Sequence, residues 1–336
     1  MVPDESSWKT AFMSVWLLRR LVQSVLVIIA VTMIVFLGVH LIGNPADVLI
    51  PSGADQAERA RAIAALGLDQ PLWRQYLVFL EQALHGSLGE SFVYAEPALR
   101  LIVARLPATF ELTLTAMFLS VVLGLPLGLY TGLHPNGVIS RTIMGVSAIG
   151  YCLPSFWVGL MLIMVFSVQL GWLPSSGRGE TGLLFGVSWS FLTLDGLRHL
   201  VLPALNLALF NIAMMLRLTE AEVRETMPLD FIKFARAKGL GRGRIVRVHV
   251  LKNILIPIVT VLGMQFGSTM AYAIVTETVF AWPGTGKLIV DSIGVLDRPV
   301  IVAYLMMIAL LFALINLIVD FLYTVLDPRL RLGDGE

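Results

Sequence analysis

Charge is scarce in this sequence. Asp, Glu, Lys and Arg make up 14% of the 336 residues, whereas soluble domains carry about 25%. Hydrophobic residues make up 57% of the chain, and its mean hydropathy is +0.82. A soluble chain of this composition would expose apolar patches large enough to aggregate. The composition therefore excludes an ordinary soluble enzyme and indicates a protein embedded in lipid.

Cysteine and histidine are also scarce, which limits the possible chemistry. The single cysteine, Cys152, excludes an internal disulfide and a cysteine-rich metal site. The five histidines fall in different segments without the spacing of metal ligands. Ser155 lacks the G-x-S-x-G setting of a hydrolase nucleophile. We therefore expect no catalytic, cofactor-binding or metal-binding residue in this chain, and no nucleic acid partner.

Long apolar runs dominate what is present. A helix needs about 20 apolar residues to cross the hydrocarbon core of a bilayer. Six runs have roughly this length or more: 21–42, 108–130, 143–170, 200–218, 254–279 and 300–326. The first is too long for a signal peptide and is not followed by a cleavage pattern, so we interpret it as an uncleaved anchor. The sequence predicts an all-α integral membrane protein with about six transmembrane helices.

Basic residues orient these helices. Nine Lys or Arg lie in 217–252, whereas 171–199 and 280–299 contain two each. Because basic residues favour the cytoplasmic side, this distribution places 217–252 and both termini in the cytoplasm. The predicted segments are a cytoplasmic tail (1–20), a first transmembrane helix (21–42), a small external helical segment (43–107), a five-helix core (108–326) that includes a cytoplasmic loop (219–253), and a second cytoplasmic tail (327–336).

The external segment between the first two spans is not lipid-like. Residues 56–66 predict a short soluble helix. Pro71 predicts the start of a second helix, from Leu72 to about Leu84, because proline suits the first helical position.

The cytoplasmic loop contains a short amphipathic pattern. Asp230 predicts a helix start, because its carboxylate can cap free backbone amides, and Gly239 predicts the end. Phe231, Phe234 and Ala235 recur at helical spacing and predict an apolar face. The basic residues Lys233, Arg236 and Lys238 point away from that face. Two interpretations remain open. The helix transmits a push from a cytoplasmic partner, or the loop is merely solvated and basic and rests on anionic lipid.

This stretch resembles the EAA loop of ABC importer permeases, and most closely the version in dipeptide and oligopeptide permeases. At the positions of that pattern this chain has Asp230, Phe231, Ala235, Arg236, Ala237, Lys238 and Gly239. Two positions depart from the pattern. Phe231 replaces the usual tyrosine, and Lys233 stands where the wider family has its glutamate. The peptide branch often lacks that glutamate, so the second departure indicates the subfamily.

Other segments resemble the same family in the same order. The stretch from Glu277 to Gly286 matches its Glu-x-x-Phe-x-Trp-Pro-Gly-x-Gly signature. The last helix and tail match at Asn316, Asp320, Tyr323, Pro328 and Arg329. Agreement of many ordered segments is more specific than any of these short motifs alone.

The resemblance implies a type I ABC importer permease fold in the bacterial cytoplasmic (inner) membrane. It implies a second homologous permease subunit, two ATPase subunits that bind ATP and Mg, and an external solute-binding protein that delivers cargo. The loop near 230–243 would couple to the ATPases. The implied cargo is di- or oligopeptides or related small solutes. The chain itself supplies no ATPase chemistry, because 283–287 lacks the first glycine and the Ser or Thr of a P-loop.

Two acidic residues near the ends of predicted spans need a role, because charges in lipid are costly. We expect Glu277 to shape the turn at Trp282, Pro283 and Gly284, at the external mouth. We expect Asp320 to hydrogen-bond to a neighbouring helix, with Asn316 as a second polar group in the last span. A proton relay is the alternative for both carboxylates.

Two rival functions would need features that the sequence lacks. A stand-alone secondary transporter or channel predicts inverted repeats or paired broken helices with charges at the midplane. A membrane-embedded enzyme predicts an acid, base or metal cluster within the bilayer. Neither rival explains the amphipathic loop.

Overall fold

The computed structural model describes residues 22–23, 25–38, 64 and 69–326. Its main elements, in chain order, are helices α1 (Val25–Gly38), α2 (Leu72–Leu84), α3 (Ala98–Leu133), α4 (Val138–Cys152) and α5 (Ser155–Gln169), strands β1 (Gly182–Leu184) and β2 (Val187–Trp189), and helices α6 (Leu194–Thr226), α7 (Asp230–Ala237), α8 (Arg242–Val279), α9 (Thr285–Gly294) and α10 (Arg298–Leu326). The chain is mostly helical, as predicted. The predicted tails, 1–20 and 327–336, lie outside the described residues, as does the predicted helix at 56–66 apart from residue 64.

Four helices in the described part of the chain are long and apolar enough to cross a membrane, namely α3, α6, α8 and α10. The bent pair α4 and α5 adds a fifth span if it is counted as one, and α1 is a shorter apolar helix. The count of about six therefore stays a prediction. α2 confirms the helix expected after Pro71, with the predicted bounds.

The run 143–170, predicted as one span, is broken into two helices. α4 and α5 meet at an angle of 106°. The break lies at Leu153 and Pro154, where both residues have extended backbone, with ψ of 135° and 131°. Proline has no N–H to continue a helix, and it disfavours the helical conformation in the residue before it.

α3 begins earlier than the predicted second span. Its first turns, from Ala98, lie in the stretch assigned to the external segment. Arg100, Arg105 and Pro107 fall within these turns and interrupt the apolar run on which the prediction depended. Further along, α3 contains a π-helical turn at Ser120–Gly124.

The chain divides into two compact units, Met1–Ala104 with Asp291–Leu317 and Arg105–Val290 with Ile318–Glu336. In the first unit, α2 packs on α1 through aromatic and hydroxyl contacts. The hydroxyls of Thr32 and Tyr76 lie 2.8 Å apart in a hydrogen bond, and the rings of Phe36 and Tyr76 meet edge to face at 5.4 Å.

α6 forms the centre of the second unit. Toward its beginning, Leu200 and Leu207 pack against Leu112 of α3 and the indole of Trp282. Toward its end, a second apolar cluster joins it to α7 and α8, with core members Met215, Val223, Ile232, Ala235, Ile245, Val250, Ile254 and Ile258. The cytoplasmic loop predicted at 219–253 is therefore continuous with the apolar core.

A stripe of glycines lets α3 approach α6 closely. Gly124, Gly128 and Gly132 recur every four residues, and each lies against α6. A Cβ at Gly128 would lie 2.5 Å from the Cβ of Thr219 and 2.6 Å from the carbonyl oxygen of Leu216. Small residues at such spacing are a common basis of helix packing in membranes.

Gly128→Ala is expected to lower the free energy of unfolding by about 1–3 kcal/mol, because the added methyl group must push two helices apart. Gly145→Ala is the matched control, since Gly145 is also inside a helix but a Cβ added there would have nothing within 4 Å. It should be neutral or stabilising by up to about 1 kcal/mol. Unfolding of both variants in mixed micelles gives the comparison, and equal losses would contradict the packing argument.

Beyond the helices, the connection between α5 and α6 contains a β-hairpin that the sequence analysis did not predict. β1 and β2 are antiparallel, with Leu184 opposite Val187. The two turn residues, Phe185 and Gly186, both have positive φ, of 54° and 76°, as a type I′ turn requires. The hairpin leads into a short 3₁₀ turn at Ser190–Leu192.

Candidate functional site

The predicted loop helix is present as α7, and its two faces differ sharply. Ile232 and Ala235 are buried in the apolar cluster shared with α6 and α8. Phe231 and Phe234 are exposed, with 39% and 62% of their surface accessible. This differs from the predicted face, which grouped Ala235 with the two phenylalanines. The inward stripe begins one residue later, at Ile232, and leaves both aromatic rings on the outer surface.

The outer surface of α7 is aromatic and basic. Lys238 Nζ lies 4.5 Å from the centroid of the Phe234 ring, in a cation–π contact. Lys233 pairs with Asp230 at 2.9 Å, and both side chains are exposed. The remaining predicted residues here, Arg236, Ala237 and Gly239, are exposed as well.

α7 ends in a turn that is fixed to neighbouring helices. Gly239 has φ of +75°, a conformation that glycine adopts readily and other residues rarely do. Leu240 packs against the same apolar cluster as Ile232. Arg242 then donates from Nη2 to the carbonyl oxygen of Leu133, at the end of α3, at 3.1 Å. These contacts connect the end of α7 to α3, α6 and α8.

The Glu277 carboxylate is fully buried near the end of α8. Oε1 accepts a hydrogen bond from Thr109 Oγ1 at 2.7 Å, and Oε2 accepts one from the Lys287 backbone N–H at 3.0 Å. Thr109 Oγ1 also accepts from the Thr285 N–H at 2.8 Å. The carboxylate thus connects α3, α8 and the first turn of α9.

The turn after α8 closes around this carboxylate. The Trp282 N–H donates to the Glu277 carbonyl oxygen at 2.8 Å, and the buried indole donates from Nε1 to the Ala108 carbonyl oxygen at 3.0 Å. A Cβ on Gly284 would overlap the Glu277 carboxylate, so this position requires glycine. Pro283 is exposed. The structure brings these four predicted residues together in one cluster.

A second buried carboxylate, Glu111, was missed. Arg178 Nη2 pairs with Glu111 Oε2 at 2.7 Å, and Arg178 also donates to the Ser188 carbonyl oxygen at 2.7 Å. Glu111 Oε1 accepts from the backbone N–H groups of Ser190 and Phe191 at 2.6 and 3.0 Å. A carboxylate inside the apolar run 108–130 is itself a signal of function or structure, so the sequence could have revealed it.

Of the two predicted polar residues of the last helix, the structure describes the side chain of Asn316 alone. Asn316 is exposed. The side chain of Asp320 lies outside the described residues, so its predicted hydrogen bond stays a prediction. Among the residues that are described, no group of three His, Cys, Asp or Glu side chains is arranged to hold a metal ion.

Comparison with known proteins decides the family. The family described as binding-protein-dependent transport system inner membrane component matches residues 124–332, and the N-terminal family of the same transport systems matches residues 13–113. The chain belongs to this family. It is a multi-pass inner membrane permease of the ABC importer class, as the loop motif predicted.

Several curated relatives match this permease over almost its whole length. The di/tripeptide transport system permease protein of Pseudomonas aeruginosa is 40% identical, covering 93% of this chain and 97% of the relative. The dipeptide transport system permease protein of Escherichia coli K12 is 36% identical, with 94% and 98% covered. The glutathione transport system permease protein of Pectobacterium atrosepticum is 38% identical, again with 94% and 98% covered.

The fold matches a solved transporter. A structure of the MetNI methionine ABC transporter in an inward-facing conformation aligns with a TM-score of 0.53 and 22% identity, covering 69% of this chain and 99% of the matched chain. At this identity the match establishes the fold alone. The predicted type I permease fold is confirmed.

Proposed function

We propose that this permease forms half of the translocation pathway for di- or oligopeptides or related small solutes. The names of its relatives support this cargo, since they include permeases for dipeptides, di/tripeptides and glutathione. The family match favours this function over a stand-alone secondary transporter or channel. The other half of the pathway is a second homologous permease subunit, and an external solute-binding protein delivers the cargo.

The exposed face of α7 carries this proposal. Two aromatic rings, Phe231 and Phe234, are exposed on a helix whose opposite face is buried in the membrane-helix core. Aromatic side chains are enriched at the centre of protein–protein interfaces, as is arginine. A loop that was only solvated and basic would not require these rings or a buried inner face. We infer that α7 inserts into a groove on an ATPase subunit.

ATP hydrolysis takes place in two separate ATPase subunits, which bind ATP and Mg. The permease has no catalytic role of its own in this proposal. Closure of the ATPases on ATP moves α7, and the contacts of Leu240 and Arg242 pass this movement to α3 and α8. The external mouth lies at the opposite end, at Glu277, Trp282, Pro283 and Gly284.

The topology follows from charge. Nine basic residues in 217–252 support a cytoplasmic position for α7, and a total of six spans would leave both termini on that same side. α1 forms the first span. The external segment is 43–107, which includes the first turns of α3.

Co-purification tests the proposed assembly. The tagged chain, extracted gently from its native membrane, is expected to carry with it a second permease and one or two ATPases, identified by mass spectrometry. Tagged Phe231→Asp with Phe234→Asp is expected to retain the second permease and lose the ATPases. A chain that is extracted alone, stable and able to transport without ATP would contradict the proposal in favour of a secondary transporter.

A further inference from the structure

A cavity of about 220 Å³ lies beside the break between α4 and α5. Its wall combines that break with residues of α6 and α8. Its lining includes Tyr151, Ser155, Asn206, Phe210, Tyr272 and Thr276. Sites for drug-sized ligands are usually about 300–1,000 Å³, so this cavity accommodates a smaller group, on the order of one or two amino-acid residues.

Three aromatic rings form one part of the wall. Tyr151 and Phe210 stack with their centroids 4.6 Å apart, and Tyr272 lies 6.3 Å from Phe210. All three keep more than a third of their surface accessible. Aromatic faces bind apolar side chains, and they also attract cations through the ring quadrupole.

One buried polar atom in the wall has no partner. Asn206 is 4% exposed and donates from Nδ2 to Thr276 Oγ1 at 2.9 Å, which leaves Oδ1 without a hydrogen bond. The neighbouring Asn211 differs, because its Oδ1 accepts from Gln265 Nε2 at 3.1 Å. Buried polar atoms in native proteins almost always have partners. An unpaired acceptor in the wall of a cavity therefore indicates a missing donor.

The charge of the wall selects which donor fits. None of the described residues lining the cavity is charged. No lining residue would pair with a carboxylate, and the Arg217 guanidinium already lies 5.3 Å from the centroid of the Tyr151 ring. An ammonium group finds an amide oxygen at Asn206 and the faces of Phe210 and Tyr272. The free amino terminus of a peptide combines an ammonium group with a side chain that can lie against the rings.

We propose that this cavity binds the amino-terminal residue of a short peptide. Its α-ammonium group donates to Asn206 Oδ1, and its first side chain, apolar or aromatic, packs on Tyr151, Phe210 and Tyr272. This rests on the proposed function and extends it by assigning a binding site within the permease, separate from any solute-binding protein. Peptides with a blocked amino terminus are excluded, because acylation removes the positive charge and adds bulk in a small cavity.

Thiol protection tests the site without the solute-binding protein. The full importer complex, in lipid nanodiscs, carries Cys152→Ser and Ser155→Cys in this chain, so the only thiol of this chain lies in the cavity wall. Phenylalanyl-alanine is expected to slow maleimide labelling of this thiol, and its N-acetyl derivative is expected to give no protection. Gly145→Cys in the same Cys152→Ser background is the control, because Gly145 is exposed on α4 and does not line the cavity.

Two substitutions of Asn206 distinguish the effect of losing the hydrogen-bond acceptor from the effect of changing the shape of the cavity. Asn206→Leu should raise the half-protecting concentration at least about tenfold, the usual minimum for losing a hydrogen bond to a charged group. Asn206→Asp, which keeps an acceptor and adds negative charge, should keep or lower that concentration. If Asn206→Leu fails to assemble, comparing Asn206→Asp with the parent protein still tests the proposal. Tighter or equal binding of the free amine by Asn206→Asp supports the proposal, and weaker binding overturns it.

The outcomes distinguish this inference from the proposed function. Co-purification of the ATPases with ATP-dependent uptake of phenylalanyl-alanine, but without protection of the thiol, would overturn the cavity assignment alone. Equal protection by the free and acetylated peptides would also overturn it. Failure of the ATPases to co-purify would refute the importer assembly, whatever the labelling shows.

Discussion

Gly239→Pro is expected to abolish solute uptake while ATP hydrolysis continues. Gly239 has φ of +75°, and its N–H donates to the Arg236 carbonyl oxygen at 2.9 Å. Proline holds φ near −65° and has no N–H, so the turn that ends α7 cannot form. The outer face of α7 would then lose its fixed position relative to the helices to which Leu240 and Arg242 connect it. Nucleotide-driven movement would no longer reach the translocation pathway.

Uptake of a radiolabelled dipeptide and release of phosphate, measured in the same proteoliposomes, give the ratio of transport to hydrolysis. Gly239→Asn should retain much of this ratio, since asparagine tolerates positive φ better than most residues. Gly241→Ala is the matched control, because Gly241 has φ of −63° and a Cβ added there would have nothing within 4 Å.

Charge reversal on the outer face of α7 should also lower solute uptake while ATP hydrolysis continues. Arg236→Glu and Lys238→Glu leave the buried face of α7 unchanged, so the permease should remain in the membrane. Lys238→Glu also removes the cation from the Phe234 ring. Normal uptake by both of these variants and by Gly239→Pro would show that α7 does not transmit the ATPase movement.

Local chemistry explains why α7 was predictable. Its start at Asp230 and its end before Gly239 depend on capping and glycine preferences that act within a few residues. Its inner face was predicted less well. Ile232 is buried, and the two neighbouring phenylalanines are not, because burial depends on which face meets α6 and α8. Spacing within a single helix gives no information on that contact.

The cluster around the Glu277 carboxylate shows the same limit. The motif from Glu277 to Gly286 placed Trp282 and Gly284 near the carboxylate, since all three residues lie within one short stretch of chain. Its partner Thr109 lies 168 positions away in sequence, and no local pattern connects such distant residues. The bend at Pro154 could have been predicted from the sequence, because proline disfavours a helix through local effects. Glu111 could also have been recognised as costly in an apolar run, but its pairing with Arg178 could not.

Arg178→Ala is expected to lower the free energy of unfolding by about 3–5 kcal/mol, because removing one partner of a buried ion pair leaves the other charge uncompensated. The Glu111 side chain is fully buried, and that of Arg178 is 13% exposed. The two backbone amides that donate to Glu111 Oε1 do not supply a positive charge. Arg178 also lies 5.7 Å over the Trp282 ring, so its loss should loosen the packing around Trp282 as well.

Arg224→Ala provides the control for this loss. Arg224 pairs with Glu220 at 3.0 Å, a geometry similar to the buried pair, but 60% of its side chain is exposed. Surface pairs contribute about 0–1 kcal/mol, so the same substitution should have little effect there. Combining Glu111→Gln with Arg178→Met should recover much of the loss, because no unpaired charge remains. Unfolding in mixed micelles measures all three proteins. Equal losses for Arg178→Ala and Arg224→Ala would show that burial does not set the strength of this pair.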